Sequence, residues 1–326
     1  IKKEILVSIV NTSNCEYLKK CLNSIYKNNL TKNYDICVLD NASTDNSFSM
    51  VEKEFPLVIL LKNKSRLGYI ENQNIILKKL YRNYSHIILL NEDTEIITNN
   101  FLEKMRIKLD SRKNTAAVSP KIYYSDGRIQ PGGNGFTTVF IYILKILKIS
   151  KILGLIRLKK IFVYLSAFIP NEQIRLYLNK FSNKRKNFEL SPVISGCCMM
   201  IKKEALDEIG LLDNRFIMYA DDLDWCRRAY INGWSCYYLN DIELMHHYKV
   251  SSSDFTYIEA HRSMFRYLRK FKHNSIGIIF LKIFSLLESL LIIVFSPLIY
   301  FNKKSDLTSA KIITRELTKI KITLTE

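Results

Sequence analysis

What this chain lacks narrows its chemistry first. Its seven cysteines (Cys15, Cys21, Cys37, Cys197, Cys198, Cys226 and Cys236) are odd in number, scattered, and never spaced as C-x-x-C. That spacing argues against a disulfide framework and a zinc site, and a reducing cytosol is the natural setting. Residues Ile1 to Val10 lack the basic, then apolar, then small-residue order of an export leader, and Ile5–Val10 reads as a strand, so no export is expected. Acidic residues are also short, with 31 Asp+Glu against 49 Lys+Arg, a formal charge of +18. A surface so basic favours anionic partners: lipid head groups, phosphorylated ligands or nucleic acid. The Lys and Arg residues are dispersed, however, and no helix-turn-helix, zinc-finger or RNA-binding signature appears, so nucleic acid is not the expected partner.

What is present is a chain with a real core: 326 residues, 48% of them hydrophobic. Its first half alternates short apolar runs with helical patterns, the signature of βαβ units and a mostly parallel sheet. Strands are expected at Ile5–Val10, Tyr34–Leu39, Leu57–Leu61 and His86–Leu90. After the first, Ser13 and Glu16 stand as a capping box, with Tyr17, Leu18, Cys21, Leu22 and Ile25 at helical spacing. From Phe136 to Pro170 apolar residues interleave with Lys145, Lys148, Lys151, Arg157, Lys159 and Lys160. Both a basic amphipathic helix on an anionic membrane and a solvated helical insertion fit that texture. A second globular stretch runs from Ser191 to about Arg269, with strands at Cys198–Ile201 and Ser235–Leu239 and a helix at Asp221–Ile231 ended by Gly233. Beyond it, Ile276–Phe301 is long and apolar but carries Lys282, Glu288 and Pro297. A membrane span, a membrane-surface or re-entrant hairpin, and a helix packed on the body all remain open. The expected segments are therefore 1–125, 126–190, 191–272 and 273–326.

Two acidic features carry the chemistry. The run His86-Ile87-Ile88-Leu89-Leu90 stops at Asn91-Glu92-Asp93-Thr94-Glu95. A buried strand ending in carboxylates delivers oxygen ligands to the carboxyl edge of a sheet, where open α/β folds bind ligands. Asp and Asn after a strand also cap turns, so Asp93 alone would be unremarkable. The second feature is Asp221-Asp222-Leu223-Asp224 at a helix start, preceded by the apolar Phe216-Ile217-Met218-Tyr219. Caps explain one or two of these carboxylates. Clustered carboxylates repel, so a partly buried one gains a raised pKa, which suits a general base taking a proton from a hydroxyl. Downstream, His246-His247 follows another short apolar strand and would complete a hard-cation site if it folded back on Asp93.

In this order the motifs resemble the inverting nucleotide-sugar glycosyltransferases of GT-A type, in the family that includes bacterial rhamnosyltransferases of surface-polysaccharide synthesis. The matching stretches are Val7–Asn11, Val38–Asp45, Arg66-Leu67-Gly68-Tyr69, Leu89–Thr94, Ser119-Pro120-Lys121, Asp126–Gln130, Ser195-Gly196-Cys197, Met218–Arg228 and His246-His247, covering nearly all of residues 5 to 270. The resemblance implies a Rossmann-like α/β fold with helices on both faces of the sheet. It implies donor contacts from Asn11, Asp40, Asn41, Gly68, Asn74, Asn91 and Arg228, with Asp40 on the nucleotide base. It further implies Mg²⁺ or Mn²⁺ held by Asp93 and His246, a base at Asp222 or Asp221, and an acceptor side with Gly196 and Asp224. The implied donor is a nucleoside-diphosphate sugar, with rhamnose or another deoxysugar favoured. A lipid-linked saccharide at an anionic membrane, on the inner face of the plasma membrane, is the implied acceptor. The chain departs from the family at Thr12-Ser13 (usually Tyr-Asn), Asn72-Gln73 (Gly-Asn), Glu92 (often Pro) and Asp221 (Glu).

Two other classes are carried. Metal-dependent nucleotidyl transfer also uses acidic ligands on an α/β sheet, but Asn11-Thr12-Ser13-Asn14 is neither Gly-rich nor basic as its phosphate loops commonly are. A non-catalytic basic membrane-binding protein fits the charge.

Overall fold

The computed structural model describes residues 3–29, 33–130, 133–146, 188–247, 254–271, 275–296 and 309–326. Residues 147–170 of the expected basic insertion lie outside them. In chain order, β1 (Ile5–Asn11), α1 (Cys15–Asn28), β2 (Tyr34–Asp40), α2 (Ser47–Glu54), β3 (Ile59–Lys62) and α3 (Tyr69–Leu80) alternate up to β4 (His86–Asn91). Then come β5 (Thr94–Ile96), α4 (Phe101–Asp110), β6 (Thr115–Tyr123), β7 (Gly133–Asn134) and α5 (Val139–Ile146). The short β8 (Phe188–Leu190) and β9 (Val193–Ile194) precede β10 (Cys198–Lys202), α6 (Lys203–Ile209), α7 (Asp221–Ile231) and β11 (Ser235–His246). Helices α8 (Asp254–Lys270), α9 (Ser275–Val294) and α10 (Ser309–Thr325) complete the described elements.

The chain divides into two compact units, one of Ile1–Asn134 with Lys184–Lys249, the other of Gly135–Asn183 with Val250–Glu326. The first joins the segment read as the donor half to most of the segment read as the acceptor half. Its strands form a sheet in the order β3-β2-β1-β4-β10-β6-β11-β5, with β8 on β11. The expected parallel pairing holds across β3, β2, β1 and β4. It reverses at β10, which runs antiparallel to both β4 and β6. Strand β11 then pairs parallel to β6 and antiparallel to β5.

All seven residues of β1 are buried, as expected of a parallel strand covered on both faces. Ile5, Val7 and Ile9 pack in one core with Leu18, Leu22 and Ile25 of α1 and with Phe101, Met105 and Leu109 of α4. Each fully buried aliphatic side chain there contributes roughly 1.5–3 kcal/mol. Ser8 points to the opposite face, where its hydroxyl donates to Gln73 Oε1 of α3 at 2.6 Å. This layering leaves the carboxyl ends of β1, β2 and β4 together at one edge.

The expected capping box at α1 does not form. Ser13 takes a left-handed φ of 52°, and its hydroxyl receives Thr44 N–H at 3.0 Å. Asp45, from the next strand-to-helix loop, accepts from Cys15 N at 2.9 Å instead. Strand β11 is one long element rather than two, because a register shift between Leu239 and Glu243 bulges it midway.

In the second unit, α9 and α10 pack together and α10 also meets α8, while α9 contacts α5.

Candidate active site

The edge of the sheet places the two acidic features around one turn. Asn91, the last residue of β4, donates its N–H to Cys197 O at 2.9 Å. One residue earlier, Gly196 N–H donates to Asp222 Oδ2 at 3.1 Å. The Ser195-Gly196-Cys197 turn therefore touches the end of the metal-expected strand on one side and the start of α7 on the other. A Cβ at Gly196 would stand 3.2 Å from Asp222 Cβ, so only glycine lets the turn approach this closely without displacement.

Beyond Asn91, Asp93 meets His246. Strand β11 pairs with β5 so that His246 lies opposite Thr94, and His246 Nε2 sits 3.1 Å from Asp93 Oδ1. Gln130 Oε1 is 2.9 Å from His246 Nδ1 and accepts its proton, which leaves Nε2 for Asp93. Burial works against charge on His246, but the Cys197 sulfur and the Asp93 carboxylate outweigh it, and the pKa is pushed up to about 10. Glu92 is raised to about 7, by burial and by the charge of Asp93. His247 is a neighbour of another kind: its Nε2 bonds Glu95 at 2.6 Å, and its N–H holds the Asp93 carbonyl at 2.9 Å.

Among the described residues no group of three or more His, Cys, Asp and Glu side chains is placed to hold a cation. Asp93 and His246 place two candidate ligand atoms 3.1 Å apart, with the Glu92 carboxyl next in sequence. That set fits Mg²⁺ or Mn²⁺, which take one or two protein ligands and complete their shell with phosphate oxygens and water.

Asn11 and Asp40 lie opposite each other in the β1–β2 register and are almost wholly buried. Among the described residues, Asn11 Oδ1 and Asp40 Oδ1 have no hydrogen-bond partner. Two orphaned acceptors at a strand edge are costly unless a ligand's donors reach them. The loops around them are tied: Ser43 Oγ accepts from Asn11 Nδ2 at 3.2 Å and from Ser13 N at 2.9 Å. Ser13 and Ala42, at the exits of β1 and β2, and Tyr219 and Ala220, before α7, are non-glycine residues with φ between 51° and 65°. Strained backbone of this kind gathers at functional sites.

Within the carboxylate cluster the three aspartates separate. Asp222 is partly exposed, and its Oδ1 also receives Leu223 N at 2.7 Å. Asp221 is buried, and burial together with the charge of Asp222 raises its pKa to about 7. Asp224 is fully buried and pairs with Arg228 Nε at 2.9 Å. Arg228 in turn donates to Ile209 O at 2.7 Å and Leu211 O at 2.8 Å. Asp224 and Arg228 thus fasten α7 to the loop after α6.

Other expected donor residues also bond to neighbouring loops. Asn74 Nδ2 donates to Leu212 O at 2.8 Å and Asn214 Oδ1 at 2.6 Å, and its oxygen receives Leu212 N at 3.2 Å, which commits that amide to the Leu212–Asn214 loop. Asn41 holds Leu67 by both its N–H, at 2.9 Å, and its carbonyl, at 3.1 Å. Gly68 lets this loop approach Ile217, because an added Cβ would meet Ile217 O at 3.0 Å. Asn91 Oδ1 accepts from Tyr69 O–H at 3.3 Å, so the side chain faces the phenol. Tyr69 is a site residue the spacing did not single out: Gln73 donates to it at 3.2 Å, and the charges of Asp221 and Glu92 reach it. Gln130 was missed as well, because nothing local ties it to a histidine 116 residues away.

The chain is similar to known proteins over most of its length. It is 24% identical over 253 residues to protein y4gI of Sinorhizobium fredii, covering 76% of this chain but only 25% of that one. It is 22% identical over 223 residues to an N-acetylglucosaminyl-diphospho-decaprenol L-rhamnosyltransferase of Mycobacterium tuberculosis, covering 65% of this chain and 66% of that one. The chain thus spans less than two thirds of either relative. Its fold is similar to that of a mannosyltransferase from Pyrobaculum calidifontis in complex with GDP-Man and Mn²⁺, with a TM-score of 0.56 at 12% identity over 99% of this chain and 87% of that one. The GT-A-type α/β fold expected above is therefore present. Residues 5–210, from β1 through the Gly196 turn to the end of α6, match the family described as Glycosyl transferase family 2, and the chain belongs to that family.

Proposed function

We propose that this glycosyltransferase moves a deoxysugar, rhamnose in the first instance, from a nucleoside-diphosphate donor to a hydroxyl of a lipid-linked saccharide, with inversion at the anomeric carbon. One observation carries the reading: a single turn, Ser195–Cys197, bonds both to Asp222 and to the strand end that leads to Asp93 and His246. A base and a cation site on opposite sides of one turn are what a single displacement with a diphosphate leaving group needs.

Asp222 is the base. Two backbone N–H groups orient its carboxylate, and partial exposure lets an acceptor hydroxyl reach it. Asp221, half-protonated near neutral pH, limits the repulsion beside it. The orphaned Asn11 and Asp40 oxygens supply acceptors for the nucleobase. Asp93 and His246 would hold Mg²⁺ or Mn²⁺. When bound, the ion offsets charge on the departing diphosphate. One attack assisted by one base inverts configuration, through an oxocarbenium-like transition state by analogy with glycoside chemistry.

The relationship to the mycobacterial rhamnosyltransferase supports the sugar and the lipid-linked acceptor, and the bound Mn²⁺ and GDP-Man of the archaeal structure support cation and donor class. A cytoplasmic location, at the inner face of the plasma membrane, follows from an activated-sugar donor and a lipid acceptor. The test is a donor screen with and without EDTA, read by nucleoside-diphosphate release and by NMR of the product anomer. Pyrophosphate release would replace sugar transfer with nucleotidyl transfer, a retained anomer would remove the single displacement, and EDTA-insensitive turnover would remove Asp93 from cation binding.

A further inference from the structure

Helix α9 is built inside out. A helix on a water-facing bundle turns apolar residues inward and charge outward. Here the inward stripe includes Ser285 and Ser289, both fully buried. Ser285 Oγ lies 3.3 Å from His261 Nε2 of α8 and 3.3 Å from Thr323 Oγ1 of α10, while Ser289 Oγ donates to Glu316 Oε2 at 2.9 Å. Both charges on α9 are also turned to neighbours. Lys319 of α10 binds Glu288 at 2.6 Å, and Lys282 donates to Leu324 O at 3.3 Å. The outward stripe is wholly apolar: Ile279, Phe280, Leu287, Leu290, Leu291 and Val294 are between 51% and 68% exposed. Its neighbour α10 exposes Thr314, Thr318 and Lys321 beside Leu317 and Leu324, so the exposed apolar surface is most continuous on α9.

A polar seam within and hydrocarbon without is the arrangement lipid imposes, because polar groups there must find partners inside the protein. The helix is long and apolar enough for a membrane by length and composition. Its flanks in sequence are basic, Arg269-Lys270-Phe271-Lys272 before and Lys303-Lys304 after. Cations bracketing an apolar helix complement anionic head groups, each adding about 1 kcal/mol near such a surface. We propose that the outward face of α9 embeds in the hydrocarbon of an anionic bilayer. This deepens the lipid-linked-acceptor reading by naming the element that meets the membrane, and its test needs no sugar substrate.

The full chain is floated with vesicles of phosphatidylcholine alone or with phosphatidylglycerol, beside the Phe280→Glu/Leu287→Glu variant, with circular-dichroism melts to compare folding. The expected result is flotation with the phosphatidylglycerol vesicles, reduced at least about tenfold in the variant. A Leu290→Trp variant supplies an independent reading: its added fluorescence should be quenched by lipids brominated in the acyl chain. Three outcomes would overturn the proposal. These are a chain that stays soluble and monodisperse beside vesicles, equal flotation of parent and variant with no acyl-chain quenching, and a dimer dissolved by the two glutamates without vesicle binding. The last would give the face to a second copy. Failure of any of these leaves sugar transfer untouched, since that is read by nucleoside-diphosphate release.

Discussion

Two acidic clusters of similar composition end up with opposite electrostatics. After β4, Asp93 is joined by a histidine whose pKa is pushed up to about 10. At the start of α7, Asp222 accepts from two backbone N–H groups, while Arg228 pairs with the buried Asp224. The first cluster holds its carboxylate against a cationic partner. The second leaves one carboxylate reachable while the other two are buried. Proximity of carboxylates alone does not distinguish a cation site from a base; the donors facing them do.

The largest expected effect breaks the comparison at its catalytic side. Asp222→Asn preserves the shape and the Gly196 contact but removes the proton acceptor, and sugar transfer should fall by roughly 10³-fold. Nucleotide and Mn²⁺ affinities should stay within about twofold of the parent, measured by calorimetry. Transfer that persists would move the base role to Asp221.

Asp224 sharpens the same side from the opposite direction. Asp224→Ala leaves Arg228 without its carboxylate at the anchor of the Ile209–Leu211 loop, and stability should drop by about 3 kcal/mol in urea titrations. Turnover per folded molecule at low temperature should change far less than in Asp222→Asn. A loss of turnover with unchanged stability would place Asp224 in the acceptor site.

On the cation side, Gln130 fixes the proton on His246 Nδ1. Gln130→Leu should weaken Mn²⁺ affinity by about tenfold, as loss of a partner behind a ligating histidine does, while kcat at saturating Mn²⁺ stays close to the parent. An equal fall in kcat at every Mn²⁺ concentration would place Gln130 on the substrate instead.

How much of this could be read from residues depends on how local the cause is. Strands β1, β2 and β4 were legible because burial on both faces writes an uninterrupted apolar run, and α7 because acidic residues and Gly233 mark its ends. The reversal at β10 was not legible, since Cys198–Lys202 is equally apolar in either direction. Asp45 capping α1 was hidden for another reason: the nearer Ser13 and Glu16 satisfy the same pattern, and only the left-handed Ser13 excludes them. In the site, Asp93, Asp222 and His246 were legible as chemistry-bearing types at element ends. Asn74 and Arg228 were legible as motif residues but their loop contacts were not, because a residue fastening a loop and a residue touching a donor leave the same trace in a motif.

Glu92 carries the effect with a definite sign. Its carboxyl rises from an ordinary 4.5 to about 7, through burial and the charge of Asp93. The folded chain therefore prefers Glu92 protonated: the stability it contributes is complete below about pH 4.5 and is lost as pH rises through 7. Glutamine keeps the neutral form at every pH. Glu92→Gln should thus be more stable than the parent by about 3 kcal/mol at pH 8 in EDTA, with the difference vanishing towards pH 4.5. Asp221 also rises to about 7, but it is present in both proteins and cancels in the difference. Adding Mn²⁺ at pH 8 should shrink the gap, because a cation at Asp93 and His246 offsets the charge that glutamine removes. A gap that is independent of pH would mean that Glu92 is destabilising through its packing rather than its charge, and the contrast between the two clusters would then rest on His246 alone.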